Sequence, residues 1–171
     1  MTEKSQVLHS ESETEDLAAD LSFKIKALFL KQDFLSLRIA LIGDLGAGKT
    51  TFTRYLLKSL GHTGKVKSPT YALCEPYEIA LSLTSEPHQF SQKKLHIHHF
   101  DLYRMNQANE WIDAGFKETL TNPGICIVEW PEKAEGTLPP FDLTIHLETN
   151  DDQTRFVKLI VHTKIGQNLV S

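Results

Sequence analysis

The sequence predicts a three-layer α/β domain whose mixed β-sheet is parallel at its centre and antiparallel at its flanks. Three observations predict this class. A glycine-rich turn at 43–48 separates a short apolar strand from a helix, the apolar run Ile125–Val128 has the pattern of a buried central strand, and two alternating segments close the chain. We expect one domain over residues 12–163, because 171 residues lie near the usual size of a single domain.

The first half of the chain supplies the predicted strand–turn–helix unit. Residues 1–11 are expected to be a flexible tail. Ser12 and Glu15 fit a capping box, and apolar residues at helical spacing continue for about 18 residues after it. Leu37–Ile42 then predicts a strand, and Thr50–Leu60 predicts a helix that follows the glycine-rich turn.

The second half predicts the remaining strands. Tyr71–Cys74 begins one strand and Leu95–Leu102 forms another, while the polar stretch 78–94 between them is expected to be a long surface connection. Residues 107–120 predict short helices broken at Gly115.

The last predicted strands form an antiparallel hairpin. Its two segments, Asp142–Glu148 and Arg155–His162, alternate between apolar and polar residues. Residues 164–171 are expected to be a C-terminal tail.

Composition excludes several classes of protein. Hydrophobic residues make up 40% of the chain, which is ordinary for a globular domain. A net charge of −4 argues against a broad nucleic-acid-binding surface, so we expect no DNA partner and any RNA contact only through another protein. The polar start lacks the apolar core of a secretory signal, and no apolar run approaches the ~20 residues of a membrane span. We therefore expect a cytoplasmic location, no membrane contact, and reduced, buried thiols at Cys74 and Cys126.

A phosphate-binding motif carries the clearest chemical signal. Residues Gly43–Thr50 (GDLGAGKT) match G-x-x-x-x-G-K-[ST] at every fixed position, between a predicted strand and a predicted helix. The glycines allow backbone N–H groups to surround phosphate oxygens, and the helix start adds its positive dipole end. Lys49 can reach the β- and γ-phosphates, and the Thr50 hydroxyl can bind Mg²⁺. The sequence therefore predicts a P-loop NTPase-like fold.

Such a site needs a carboxylate on a neighbouring strand to hold or organise Mg²⁺. Glu129 directly follows the apolar run Ile125–Val128, and Asp101 ends the strand that begins at Leu95. Spacing alone does not assign their roles.

Four motifs together resemble one family. They are GDLGAGKTTF at 43–52, Ser68-Pro69-Thr70-Tyr71, HFDLYR at 99–104, and Val128-Glu129-Trp130-Pro131. In this order they resemble the TsaE family (formerly YjeE), the bacterial ATPases of tRNA threonylcarbamoyladenosine biosynthesis. The resemblance covers about residues 12–162.

The resemblance implies an activity and partners. TsaE-like proteins bind ATP and slowly hydrolyse it to ADP with Mg²⁺, and they associate with the proteins TsaB and TsaD. TsaD transfers a threonylcarbamoyl group to the adenosine adjacent to the anticodon of tRNAs, so tRNA is met indirectly through the complex. The family member supports repeated turnover and does not perform the transfer itself.

The resemblance also implies roles for residues. Thr50, Asp101 and Glu129 would surround Mg²⁺, and Lys49, Asp101 and Glu129 would be catalytic. Ser68 and Thr70 would belong to a switch-like loop near the γ-phosphate. The residues implied to contact the nucleotide are Thr14, Gly43, Asp44, Leu45, Gly46, Ala47, Gly48, Lys49, Thr50, Thr51, Ser68, Thr70 and Trp130.

Other readings of the phosphate loop remain open. A small-molecule kinase often closes an arginine-bearing lid, which four dispersed arginines fit poorly. A GTPase is disfavoured because no N-K-x-D motif occurs, and a nucleotide-dependent switch or binding module overlaps with the ATPase. No arginine is obviously placed to act within the chain, so we expect slow hydrolysis until a partner contributes.

The link between the second and third predicted strands departs from the family pattern. The stretch from Tyr77 to Leu95 is longer than the short hairpin usual there, and its effect on the site is open. Alternation places His96 and His98 on one face of a strand and His99 on the other. A metal site at these histidines and His88 is conceivable, but solvated or core histidines are the favoured interpretation.

Overall fold

A seven-stranded mixed sheet organises the chain, and this computed structural model describes residues 2–82 and 92–171. The strands are β1 (Thr2–Leu8), β2 (Ser36–Ile42), β3 (Cys74–Ser82), β4 (Gln92–Asp101), β5 (Gly124–Glu129), β6 (Leu143–Thr149) and β7 (Arg155–Val161). The helices are α1 (Glu11–Lys31), α2 (Lys49–Leu60), α3 (Glu110–Asp113) and α4 (Lys164–Val170), with a 3₁₀ turn at Pro131–Ala134.

The centre of the sheet is parallel. The strand order is β1-β7-β6-β2-β5-β4-β3, and the pairs β6–β2, β2–β5 and β5–β4 are parallel. The pairs β1–β7, β7–β6 and β4–β3 are antiparallel, which confirms the predicted sheet. Because β2, β4 and β5 run the same way, their carboxyl ends meet at one edge of the sheet, where α/β proteins bind ligands.

Side chains of β5 alternate between two apolar clusters. Ile125 and Ile127 belong to the larger cluster, which includes buried residues of α1 and α2. Cys126 and Val128 belong to a smaller cluster on the opposite face, which includes Trp111 of α3. The sheet is therefore covered on both faces, as the three-layer prediction requires, and all six residues of β5 are buried as the apolar run predicted.

Helix α1 begins two residues earlier than predicted. Ser10, and not Ser12, is the N-cap, and its hydroxyl accepts a hydrogen bond from the Glu13 N–H at 3.2 Å. The Glu13 carboxylate accepts one from the His9 N–H at 2.7 Å. The pattern S-x-x-E occurs twice, at 10–13 and at 12–15, and sequence spacing alone does not distinguish the two.

Both predicted tails belong to the fold. Residues 2–8 form β1, which pairs with β7 from Thr2↔Val161 to Leu8↔Arg155, so the prediction of a tail at 1–11 is wrong for this part. Most side chains of β1 are exposed, and backbone hydrogen bonds rather than an apolar pattern hold it. Residues 164–170 form α4, whose Leu169 and Val170 are buried.

Strands β3 and β4 extend into the stretch predicted as a surface connection. The prediction for 78–94 is wrong at both ends, because β3 reaches Ser82 and β4 begins at Gln92, and the intervening 83–91 lie outside the described residues. Strand β3 also begins at Cys74, later than predicted. Its apolar residues Ile79 and Leu81 are buried and alternate with exposed residues, which is the period-2 pattern of a half-buried strand that the prediction missed.

A lysine of the β3–β4 hairpin caps the C-terminal end of α1. The Lys93 ammonium donates hydrogen bonds to the carbonyls of Phe29 and Gln32, each at 2.6 Å, and pairs with Asp33 at 2.9 Å. Cations stabilise the carboxyl ends of helices, so Lys93 of β4 stabilises the end of α1 and fixes the two elements against each other. Gly115 has φ 87° just after α3, which fits the predicted break, but the residues after it form turns and not the predicted second helix. In the ranges 2–82 and 92–171, no helix combines the length and apolar character needed to cross a bilayer.

Candidate functional site

A cavity of about 420 Å³ opens at the carboxyl edge of the central strands. This volume falls within the ~300–1,000 Å³ typical of ligand sites. It lies where the turn after β2, the ends of β4 and β5, and the loop before β3 converge. The lining residues are Leu45, Gly46, Gly48, Lys49, Thr50, Thr51, Ser68, Thr70, Asp101, Tyr103, Arg104, Glu129, Trp130 and Arg155.

The glycines of the turn are required by backbone geometry. Gly48 is the N-cap of α2 with φ 101°, a conformation that favours glycine. A Cβ on Gly43 would lie 2.3 Å from the carbonyl oxygen of Leu147. The turn can therefore pack against β6 and aim the first N–H groups of a 12-residue helix at the cavity, which is the arrangement that binds phosphate.

Lys49 lies between the loop and an aromatic ring. Its ammonium donates a hydrogen bond to the Asp44 carbonyl at 2.9 Å and lies 4.1 Å from the ring centroid of Trp130. Burial lowers the pKa of Lys49, while nearby carboxylates, led by Glu129, act in the opposite direction. Trp130 itself has φ 57°, so a left-handed backbone turn directs its ring over the lysine.

Two buried carboxylates face the start of α2. Asp101 and Glu129 are opposite each other in the β4–β5 register and are 4% and 2% exposed. The Thr50 hydroxyl donates to Glu129, at 2.9 Å from Oε1 and 3.2 Å from Oε2. Mg²⁺ prefers hard oxygen ligands, and this set of one hydroxyl and two carboxylates fits that ion.

The loop before β3 is fastened to one of these carboxylates. The Ser68 hydroxyl donates a hydrogen bond to Asp101, and the Thr70 hydroxyl lies 3.4 Å from the same oxygen. The Tyr103 N–H donates to the other Asp101 oxygen at 3.0 Å. Asp101 therefore links the 68–70 loop to the end of β4.

The structure does not bring every predicted residue to this cavity. Gly43, Asp44 and Ala47 line a second cavity of about 380 Å³ beside β6. Thr14 lies in the first turn of α1 and is 3% exposed, and it is absent from the lining of the main cavity. Its hydroxyl is a buried polar group without a hydrogen-bond partner among the described residues. The predicted contact between Thr14 and a nucleotide stays a prediction.

Four described residues at the site were not predicted to belong to it, and the first of them, Tyr103, lines the cavity. Arg104 and Arg155 line the cavity, although no arginine had an evident place in the sequence. A Cβ built on Gly48 would lie 3.2 Å from Arg155 Nε, so this side chain of β7 lies against the turn. The fourth residue is His99, whose Nε2 lies 2.7 Å from Glu129 Oε1.

The other histidines lie away from these contacts. His96 is half exposed, and burial lowers the pKa of His98. In the part of the chain that the structure describes, no cluster of three or more histidine, cysteine or acidic side chains is arranged for a metal. His88 lies outside the described residues, as does most of the longer link to which it belongs.

The two cysteines, both of which were expected to be buried, differ in burial. Cys126 is buried in β5, whereas Cys74 at the start of β3 is only partly buried, and both are free thiols. Burial raises the pKa of each thiol to about 12.

Comparisons with known proteins agree with the four motifs. The family model described as "Threonylcarbamoyl adenosine biosynthesis protein TsaE" matches residues 8–157. The tRNA threonylcarbamoyladenosine biosynthesis protein TsaE of Haemophilus influenzae is 40% identical over 136 residues, which are 80% of this chain and 77% of that protein. Its Bacillus subtilis counterpart is 36% identical over 133 residues, 77% of this chain and 72% of that protein.

A solved structure supports the fold as well. The crystal structure of YdiB from Bacillus subtilis superposes with a TM-score of 0.70 at 25% identity, and the match covers 99% of this chain and 92% of that one. Motifs, family model, relatives and fold thus agree over nearly the whole domain. The chain belongs to the TsaE family of tRNA threonylcarbamoyladenosine biosynthesis proteins.

Proposed function

We propose that this protein is a Mg²⁺-dependent ATPase that hydrolyses ATP slowly to ADP and supports threonylcarbamoyl transfer to tRNA as a partner of TsaB and TsaD. One observation carries the proposal. The phosphate loop, Thr50, Asp101 and Glu129 converge on one cavity at the carboxyl edge of the parallel strands. Membership of the TsaE family supports the role in threonylcarbamoyladenosine biosynthesis, and the residues that line the cavity support nucleotide binding.

Each residue has a chemical role in this proposal. The N–H groups of the turn and Lys49 bind the phosphates and neutralise their charge. Thr50 and Asp101 would hold Mg²⁺, directly or through water, and the ion would supply positive charge against the phosphate oxygens. Glu129 orients the attacking water or shares the metal.

The 68–70 loop and the rim of the cavity support a partner-dependent activity. Ser68 and Thr70 contact Asp101, so occupation of the metal site is communicated to a surface loop. Leu45 and Tyr71 near the cavity are 74% and 84% exposed, so both side chains are accessible to a partner protein.

Calorimetry tests nucleotide binding. ATP added to the purified protein in millimolar Mg²⁺ should give heat, while GTP should compete weakly. The absence of heat with ATP, alone and with TsaB and TsaD present, would refute the proposal. Release of inorganic phosphate rather than transfer to an acceptor separates the ATPase from a kinase.

A reconstituted reaction tests the role in the pathway. TsaB, TsaD and tRNA should give repeated threonylcarbamoyl transfer only with this protein and ATP, and co-purification with TsaB and TsaD should depend on nucleotide. Equal multiple-turnover modification with a non-hydrolysable ATP analogue would show instead a binding module whose hydrolysis is incidental.

A further inference from the structure

His99 makes a buried contact that the proposed roles leave unused. Its side chain is fully buried, and Nε2 lies 2.7 Å from Oε1 of Glu129, which is itself 2% exposed. The same oxygen accepts the Thr50 hydroxyl at 2.9 Å. One oxygen of the carboxylate is thus held from two sides, while Oε2 keeps only the longer Thr50 contact at 3.2 Å.

The chemistry of the two groups identifies the donor of the contact between His99 and Glu129. A carboxylate that is ionised can only accept a hydrogen bond, so in that state His99 Nε2 is the donor of the short contact. Nδ1 of His99 is buried and has no hydrogen-bond partner among the described residues. A tautomer that carries its proton on Nε2 satisfies the contact with Glu129 and leaves a lone pair, rather than an unpaired N–H, at Nδ1.

The register between strands β4 and β5 places His99 beside Glu129 on one face of the sheet. His99 pairs with Ile127 across the β4–β5 register, and Glu129 is two residues beyond Ile127 on the same face. Leu95 and Ile97 precede His99 on that face and belong to the larger apolar cluster. An apolar side chain would suit this position for packing alone, because burying an imidazole is unfavourable unless it is hydrogen-bonded.

We propose that His99 is a positioning residue that fixes the Glu129 carboxylate. By donating to Oε1, His99 and Thr50 hold the carboxylate in one orientation and leave Oε2 as the oxygen available to the cavity. Groups that orient a site residue in this way commonly change activity by about 10–100-fold when removed. This inference rests on the proposed function, because the role of Glu129 belongs to that proposal.

Two substitutions separate positioning from packing. His99→Met keeps the bulk and removes the donor, and we expect kcat for ATP hydrolysis to fall by about 10–100-fold while KM changes less than about threefold. His99→Gln places an amide N–H near the position of Nε2 and should stay within about threefold of the wild-type kcat. In a Glu129→Gln background, His99→Met should cause little further loss, because the two residues act as a unit.

His98→Met is the matched control. His98 directly precedes His99 in β4, so its side chain lies on the opposite face of the sheet, and it does not line the cavity. This substitution should leave kcat unchanged. Thermal unfolding of every variant monitors the fold. If His99→Met does not fold, His99→Asn replaces it, because the shorter amide remains polar but does not reach Glu129.

A readout independent of activity tests the contact itself. In long-range ¹H–¹⁵N spectra of histidine-labelled protein, His99 should show the Nε2-protonated tautomer without nucleotide. Glu129→Ala should shift the His99 ring signals and leave those of His98 in place.

The outcomes separate the two proposals. An active wild type with an equally active His99→Met variant would overturn the inference alone, as would equal losses in His99→Met and His99→Gln. His99 ring signals that do not respond to Glu129→Ala would also overturn it. A wild type that neither binds nor hydrolyses ATP would overturn the proposed function and this role with it.

Discussion

At the residue scale, Lys49 combines burial with a positive charge directed at the phosphate loop. Lys49→Ala should abolish detectable ATP binding, because the loop then holds a polyanion without its one buried cation; a loss of about 100-fold or more in affinity is expected. Calorimetry measures it. Lys58→Ala on the same helix is the control, because Lys58 is exposed and pairs with Glu15 at the surface.

Glu129 offers a second test at this scale. Glu129→Ala should leave a folded protein that binds ATP but hydrolyses it at least about 100-fold more slowly, since an oriented carboxylate is lost while the phosphate loop is intact. Phosphate release and calorimetry on the same sample separate the two effects. Wild-type turnover by Glu129→Ala would remove Glu129 from the catalytic set.

The cysteines test burial through their reactivity. With a pKa of about 12 for both thiols, the thiolate fraction at pH 8 is about one in ten thousand. Iodoacetamide should therefore label Cys74 and Cys126 slowly in the native protein at pH 8 and rapidly after denaturation, as measured by mass spectrometry. Fast native labelling of Cys74 would show that the start of β3 opens.

At the scale of elements, the start of α1 distinguishes two overlapping capping patterns. Ser10→Ala should lower the free energy of unfolding by about 1 kcal/mol, because the Glu13 N–H loses its acceptor. Ser12→Ala should change it by less than about 0.5 kcal/mol, because Ser12 is exposed within the helix. Denaturant unfolding of both variants checks this, and the reverse ranking would restore the cap at Ser12.

The elements also show which sequence signals suffice. The strand–turn–helix around Gly43–Thr50, the buried strand β5 and the β6–β7 hairpin have strong local patterns, and the structure confirms them. The strand β1 does not, because its stability comes from backbone pairing with β7, and polar side chains carry no signal of such pairing.

Some residues of the candidate site could likewise be predicted from the sequence, whereas others could not. Lys49, Asp101 and Glu129 follow from motifs and strand ends. Arg155 joins the cavity from β7, more than a hundred residues after the turn it contacts, so only the strand order brings it there. The bond between His99 and Glu129 depends on the β4–β5 register, which alternation on a single strand does not provide.

At the scale of the whole molecule, β1 completes one edge of the sheet. Deleting residues 1–8 should cost about 2 kcal/mol, or about 4–8 °C in Tm, because the β7 ladder loses its partner. The exposed β7 edge should also promote self-association. Calorimetric melting and light scattering measure both effects. Ser5→Thr is the control, since it preserves the backbone pairing, and an unchanged Tm after the deletion would show that β1 contributes nothing.

The direction of β1 has a practical consequence for handling the protein. Its Leu8 end pairs beside Arg155 at the cavity, so its Thr2 end, opposite Val161, lies at the far rim of the sheet. An affinity handle or surface linkage attached ahead of Thr2 leaves the mouth of the cavity unobstructed. Immobilisation by that end is therefore the natural format for measuring how nucleotide alters the capture of companion proteins.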